Sequence, residues 1–252
     1  MRGRRVKVLA SYNIKGGVGK TSTAVNLAYL AAGSGARTLI WDLDPQAAAS
    51  YCLRVKPGVK GGSRKLLRKK SASGGAIKGS DYENLDLLPA DFSYRHFDLE
   101  LHDAKHSKQR LNRVLEPLRD DYDFIFLDCP PGISLLSEAV FRAANALVIP
   151  TLPSILSLRT LQQLLAFRQE KGLQQLLPLA FLTMVDRRKK LHNQIVGARD
   201  RMGSWMLESV VPYASEVEQM AERREPVCRF LPNGRAAAAY IDLWDEIQDR
   251  IF

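Results

Sequence analysis

Short apolar runs and longer stretches of helical period alternate along this chain. The runs VKVLAS (6–11), RTLIWDL (37–43), NLDLLP (84–89), FIFLD (124–128), ALVIP (146–150) and LAFLTMV (179–185) predict strands. Most are apolar on both faces, as strands in the middle of a covered sheet must be. Helices are predicted from 20 to about 32, from about 105 to 118, from 134 to about 144, from 157 to about 169 and from 189 to 202. A last one follows the breaker LPNG, from Gly234 to the end. Repeated strand–helix units of this kind predict an α/β fold, a mainly parallel twisted sheet flanked by helices on both faces. The chain has no internal repeat, and 252 residues at 46% hydrophobic suffice for one large core, so a single domain over 1–252 is expected. Tyr122, Phe124 and Phe126 recur at a spacing of two, which is strand packing rather than a stacking platform for bases.

The first predicted strand runs into ASYNIKGGVGKTS (10–22), with Lys15 and Lys20 set around a turn that has almost no side chains. A strand-to-helix turn rich in glycine lines up backbone N–H groups and a helix N-terminus, which together hold an anion. Gly16, Gly17, Val18 and Gly19 are expected to wrap phosphates, with Lys20 reaching the terminal phosphates and the Thr21 hydroxyl on Mg²⁺, Ser22 completing the motif. Ile14 stands where the strict phosphate-loop pattern has glycine, and the bland alternative is a glycine-rich turn before a helix. Two further strand ends support a nucleotide site. FIFLDCPPG ends on Asp128, a carboxylate aimed at the metal and its waters, and LIWDLDPQ carries Asp42 and Asp44 on the same side of an extended segment. One of these two carboxylates is expected to orient a water for attack on the γ-phosphate, and Asp42 reads better as a structural cap of its loop.

KGGVGKTS, DLDPQ and FLDCPPG together closely resemble the ParA/MinD family of deviant-Walker ATPases, and NLDLLPA, LTMVDRR and RREPV continue the resemblance in order over most of the chain. The resemblance implies a single P-loop NTPase domain that uses ATP and Mg²⁺ and dimerises around the nucleotide. It assigns Lys15 as the signature lysine that reaches the partner's phosphates, Asp44 to the attacking water, Thr21 to the metal and Asp128 to the Mg²⁺ water shell. ATP then acts as glue between protomers and hydrolysis as release, with a slow basal rate until a partner docks. Adenine recognition is implied for the loops after FLTMVD and around Pro212 and Pro232.

Charge narrows the branch. Of 37 lysines and arginines, nine lie in residues 54–80 with no acidic residue, while elsewhere 28 basic residues face 27 acidic ones. The last predicted helix sets Ile241, Leu243, Trp244, Ile247 and Ile251 for packing, with Asp242, Asp245, Glu246 and Asp249 on the rest, a face that anionic lipid repels. No run approaches the roughly 18 apolar residues of a membrane span, and the basic start passes straight into the first strand. A cytoplasmic protein is therefore expected; the resemblance adds nucleoid association, and there is no room before Val6 for the operator-binding domain that some relatives add. Cys52, Cys129 and Cys228 are in no ligand spacing and read as packing, nor do His96, His102, His106 and His192 fall in one.

The resemblance then points to the Soj-like branch, whose ATP dimers bind double-stranded DNA without sequence preference and segregate or position a cargo, with an activating partner protein. Candidate phosphate contacts are Arg187, Arg188, Lys189 and Lys190, Arg199 and Arg201 on the same predicted helix, and Arg223 with Arg224. A solvated charged face is the alternative for each. The arginines often found after the proline in chromosome-partitioning relatives are missing between Pro212 and Met220. SRKLLRKK is expected to supplement them as a short helix with Leu66 and Leu67 inward and Arg64, Lys65, Arg68, Lys69 and Lys70 outward, a disordered loop being the alternative. Two rival classes remain: a P-loop small-molecule synthetase, in which Lys15 loses its cross-dimer purpose, and a regulatory module that holds ATP without hydrolysing it.

Overall fold

The structure, a computed structural model, describes residues 6–68, 75–102 and 109–252. Among these residues eight strands form one sheet: β1 (Lys7–Ser11), β2 (Thr38–Asp42), β3 (Lys78–Gly79), β4 (Leu85–Leu88), β5 (Phe124–Asp128), β6 (Ala146–Thr151), β7 (Leu177–Val185) and β8 (Met206–Pro212). Their order is β3-β4-β2-β5-β1-β6-β7-β8, and every pairing is parallel except that of the two-residue β3 with β4. All six predicted strands are present. β3 and β8 were not predicted, and both are edge strands. β8 has only Met206, Leu207 and Val211 buried, so it lacks the two-sided apolar signal of the central strands.

The helices are α1 (Lys20–Gly33), α2 (Ala48–Cys52), α3 (Gly62–Arg68), α4 (Phe97–His102), α5 (Arg110–Leu115), α6 (Leu135–Ala143), α7 (Ile155–Glu170), α8 (Lys190–Gly197), α9 (Ser215–Arg223), α10 (Val227–Phe230) and α11 (Arg235–Ile251). One face of the sheet is covered through Leu66, Phe97, Leu111, Phe141, Leu161 and Ile195, from α3 to α8. The other is covered by α1, α2, α9, α10 and α11 through residues such as Ala28, Ala49, Met220, Val227 and Trp244. Phe124 and Phe126 of β5 pack on Trp244 at 5.1 and 5.8 Å between ring centroids, so the spacing of two is sheet packing as expected. Of the five residues assigned to packing on α11, Ile241 is instead exposed, while Leu243, Trp244 and Ile247 are buried.

One predicted helix is described only in part and another is shorter than expected. The start predicted at 105 lies outside the described residues; the described part is α5, followed by a 3₁₀ turn over Glu116–Leu118. The one from 189 to 202 stops at Gly197, and Arg199–Arg201 form a separate 3₁₀ turn, so Arg199 and Arg201 do not continue the face of α8. At the β8 edge, Glu246 of α11 accepts hydrogen bonds from the Glu208 and Ser209 N–H groups (2.7 and 2.8 Å) and from the Ser209 hydroxyl (2.6 Å).

Candidate nucleotide site

Parallel register brings three strand ends to one level: Ser11 pairs with Asp128, and Asp128 with Asp42. β1 lies between β5 and β6, where the chain's crossovers change direction, the crevice in which open parallel sheets bind ligands. The turn leaving β1 enters α1 through Gly17 (φ 70°) and Gly19 (φ 85°), left-handed conformations that residues with a Cβ disfavour. Gly19 is the N-cap of α1 and offers no side-chain cap, so the first N–H groups of this helix stay available to an anion. Above Gly16 and Gly17 the space a Cβ would enter is empty within 4 Å.

Both lysines are placed by the turn itself. Lys20 is buried, and its Nζ donates to the Lys15 carbonyl at 3.0 Å, while its own carbonyl accepts from the Ser11 hydroxyl at 2.8 Å. Burial lowers the Lys20 ammonium below the ordinary lysine range, opposed by Asp128, Cys129 and Asp44. Lys15 is half-buried; its backbone N–H donates to Asn13 Oδ1 at 2.9 Å, and Asn13 Nδ2 donates to the Pro150 carbonyl at 2.8 Å at the end of β6. Lys15 Nζ reaches its own chain's Ser157 Oγ, on the first turn of α7, at 3.4 Å. Val18 is buried, and Thr21 and Ser22 are half-buried at the start of α1.

The carboxylates divide their roles. Asp42 is fully buried, and its Oδ2 accepts from the Ser50 N–H (2.8 Å) and hydroxyl (2.7 Å) while Oδ1 accepts from the Asp44 N–H at 3.2 Å. It is the cap of the loop into α2 that its place at the end of β2 suggested. Burial pushes it up to about 6, its Ser50 and Asp44 hydrogen bonds opposing and the Asp44 charge adding. Asp44 is half-buried in that loop, with Oδ1 taken by the Gln46 N–H at 2.9 Å and no hydrogen bond to Oδ2 among the described residues. Asp128 is fully buried, and among the described residues neither oxygen has a partner in good hydrogen-bond geometry, although the Thr21 hydroxyl lies close enough to interact with it. Burial raises its carboxyl well above the usual range, and the Asp42 charge adds to this; the nearby Thr21 hydroxyl and Lys20 offset it in part. Two unpartnered carboxylate oxygens inside a protein are costly unless something hydrogen-bonds or neutralises them. With the open space over Gly16 and Gly17, this donor set fits a polyphosphate and a hydrated divalent cation.

Beside Gly19, the ends of β7 and β8 form a narrow pocket lined by Thr183, Met184, Pro212, Tyr213 and Val217. β7 is irregular here: its register against β8 shifts on both sides of Leu182, and Met184 is left-handed at φ 54°. Pro212 thus falls beside the phosphate loop, while Pro232 does not line the pocket. Sequence reading missed Tyr12, Asn13 and Ser157. The first two are buried side chains just before the glycines, and no spacing rule marks them.

The basic candidates do not form one cluster. Arg187, Arg188, Lys189 and Lys190 are exposed in the turn after β7 and at the start of α8, but Arg188 is held by Asp186 at 2.9 and 3.0 Å. That pair draws Asp186 down to about 2. Arg199 pairs with Asp200 at 3.6 Å, and Arg201 is exposed. Arg223 lies over the Phe230 ring and Arg224 over Tyr51, donating to the Tyr51 carbonyl at 3.0 Å, so both guanidiniums serve local packing. In the basic segment α3 buries Leu66 and Leu67, with Arg64 and Arg68 exposed and Lys65 half-buried, as the sequence suggested; Lys69 and Lys70 lie outside the described residues. α3 packs on α4 and α5, whereas α8 follows β7 and packs on the 3₁₀ turn Arg199–Arg201, so the two basic groups belong to separate helices.

A family model described as an AAA domain, AAA_31, matches residues 6–176. The protein Soj of Bacillus subtilis, a sporulation initiation inhibitor, is 31% identical over 96% of this chain and 98% of its own. The chain belongs to the ParA/MinD family. Among solved members of the fold, a plasmid partition protein from Borrelia burgdorferi bound to AMPPNP superposes with a TM-score of 0.84 at 21% identity, covering 97% of this chain and 99% of that one. Cobyrinic acid a,c-diamide synthase from Mycobacterium smegmatis, with ADP and magnesium, gives 0.80 at 24% identity over 96% and 94%. At these identities both likenesses show the fold alone.

Proposed function

We propose that this chain is a ParA-type ATPase whose ATP-bound form is a homodimer that binds DNA without sequence preference and segregates or positions a cargo. Hydrolysis to ADP and phosphate is stimulated by a partner protein, and the protein acts in the cytoplasm on the nucleoid. The observation that carries this reading is the second lysine. Lys20 is buried in its own site, but Lys15 lies at the rim, close to no carboxylate that the structure pairs with it, and resting on Ser157. A rim lysine beside a phosphate loop can serve a nucleotide held by a second copy, a use that a monomeric synthetase does not have. Full-length similarity to Soj supports the same reading.

In this reading the α1 N-terminus and Lys20 hold the phosphates, Thr21 and Asp128 hold the cation's first shell and its waters, and Asp44 orients the attacking water with the oxygen left free of its loop. Bound Mg²⁺ supplies charge compensation for the phosphates. Arg187, Lys189 and Lys190 make the first DNA contacts, with Arg64 and Arg68 as a separate second group.

Equilibrium binding to an arbitrary duplex at two salt concentrations tests this, with ATP and Mg²⁺, with ADP and without nucleotide. Binding that needs ATP and weakens steeply with salt is the expected result. Absence of binding in every state sinks the DNA track and returns the synthetase class.

A further inference from the structure

Tyr12 is the last side chain before the phosphate loop, 1% exposed, and it is not one of the residues so far placed on the nucleotide. Its hydroxyl donates to the Gly132 carbonyl at 2.6 Å, and the Gly132 N–H donates to the Ile14 carbonyl at 3.0 Å. Gly132 closes the loop Cys129–Gly132 that follows Asp128, in a left-handed conformation at φ 96°. Two hydrogen bonds therefore fasten this loop to the start of the phosphate loop, one through a side chain and one through the backbone. The ring of Tyr12 is set by an edge-on contact with Phe141 of α6 at 4.8 Å. A small pocket of about 10 Å³ is lined by Tyr12, Cys129, Pro130 and Pro131.

The fastening has a chemical cost. Charge that develops on a transferring phosphoryl group is stabilised by backbone N–H donors aimed at it. The Gly132 N–H is such a donor next to the phosphate loop, and here it is spent on Ile14. Pro130 and Pro131 have no N–H to offer, so Gly132 is the next donor after Cys129, whose N–H is itself taken by the Ser11 carbonyl at 3.3 Å. We propose that Tyr12 is a positioning residue for ATP hydrolysis, which rests on the ATPase reading above: its hydroxyl holds Gly132 on Ile14, and the loop has to leave this position before its N–H can face the γ-phosphate. The clamp is one internal source of slow basal turnover.

Tyr12→Phe tests it, since it keeps the ring against Phe141 and removes only the hydroxyl, which besides Gly132 meets the Ser137 side chain. In the nucleotide-free protein, hydrogen exchange of a fragment across 129–133 is expected to speed up at Gly132 by about two- to tenfold, the factor that one ordinary hydrogen bond represents. Exchange in β1 and β5 stays as in the wild type. ATP turnover is expected to rise in kcat by a similar factor with KM unchanged, a split that mere loss of stability does not give. Unchanged exchange at Gly132 overturns the clamp. Faster exchange with equal or lower kcat, in a wild type that hydrolyses ATP, overturns the positioning role. Faster exchange in the variant, with no turnover in either protein even with DNA present, upholds the clamp and overturns the ATPase reading instead.

Discussion

Asp128 shows what a single residue of the site costs the protein without its ligand. Both of its oxygens are buried and unpaired beside the buried Asp42, and burial raises both acids above their unfolded values. An acid whose folded pKa is raised binds more protons folded than unfolded, so stability is highest below the unfolded value and falls as pH rises through the folded one. The nucleotide-free protein is therefore expected to lose thermal stability from about pH 4 to above 6, the window set by Asp42. Asp128→Asn should flatten that loss and stabilise the free protein by about 1–3 kcal/mol. ATP with Mg²⁺ should raise the melting temperature of the wild type far more than that of the variant. Thermal melts across pH, with and without ligand, read both effects. Much of this site was legible in sequence, because GGVGKT and the two strand-end aspartates are local patterns. Tyr12, Asn13 and Ser157 were not, because their roles depend on β5 and β6 lying on either side of β1, a contact across more than a hundred residues.

Elements were legible where burial was two-sided. The central strands and α1, which is buried on most of its surface, carry strong signals, while β8 and α9 do not. α9 buries Met220 and packs Val217 only partly against the core, so its apolar stripe is thin in a mostly polar pattern. The basic segment is the informative case. Its composition allowed a disordered loop, yet its described part sets Val59, Leu66, Leu67 and Ala76 into the core, and Ser63 donates to Glu100 at 2.9 Å. Arg54 anchors its start, pairing with Glu225 at 2.5 Å and Asp81 at 3.6 Å. Leu66→Ala is accordingly expected to cost about 2–5 kcal/mol in denaturant unfolding, a value that a loose loop would not give. Replacing Arg64 and Arg68 together by alanine should leave stability within about 0.5 kcal/mol and flatten the salt dependence of DNA binding, if α3 touches phosphate.

At the scale of the molecule, sequence gave the layers and their direction but not the arrangement of charge. The exposed basic residues of α3 and those after β7 belong to separate elements of the layer that covers one face of the sheet, an arrangement that composition does not reveal. The same sheet has two ends, and they are finished differently. β3 is only two residues long, which leaves little backbone for another strand to copy. At the other end, the Glu246 carboxylate takes up the Glu208 and Ser209 N–H groups from outside the sheet. Glu246→Ala should leave ATP binding alone and increase light scattering on warming at high concentration. With these donors occupied by Glu246, fewer remain on β8 for a strand of another molecule to pair with.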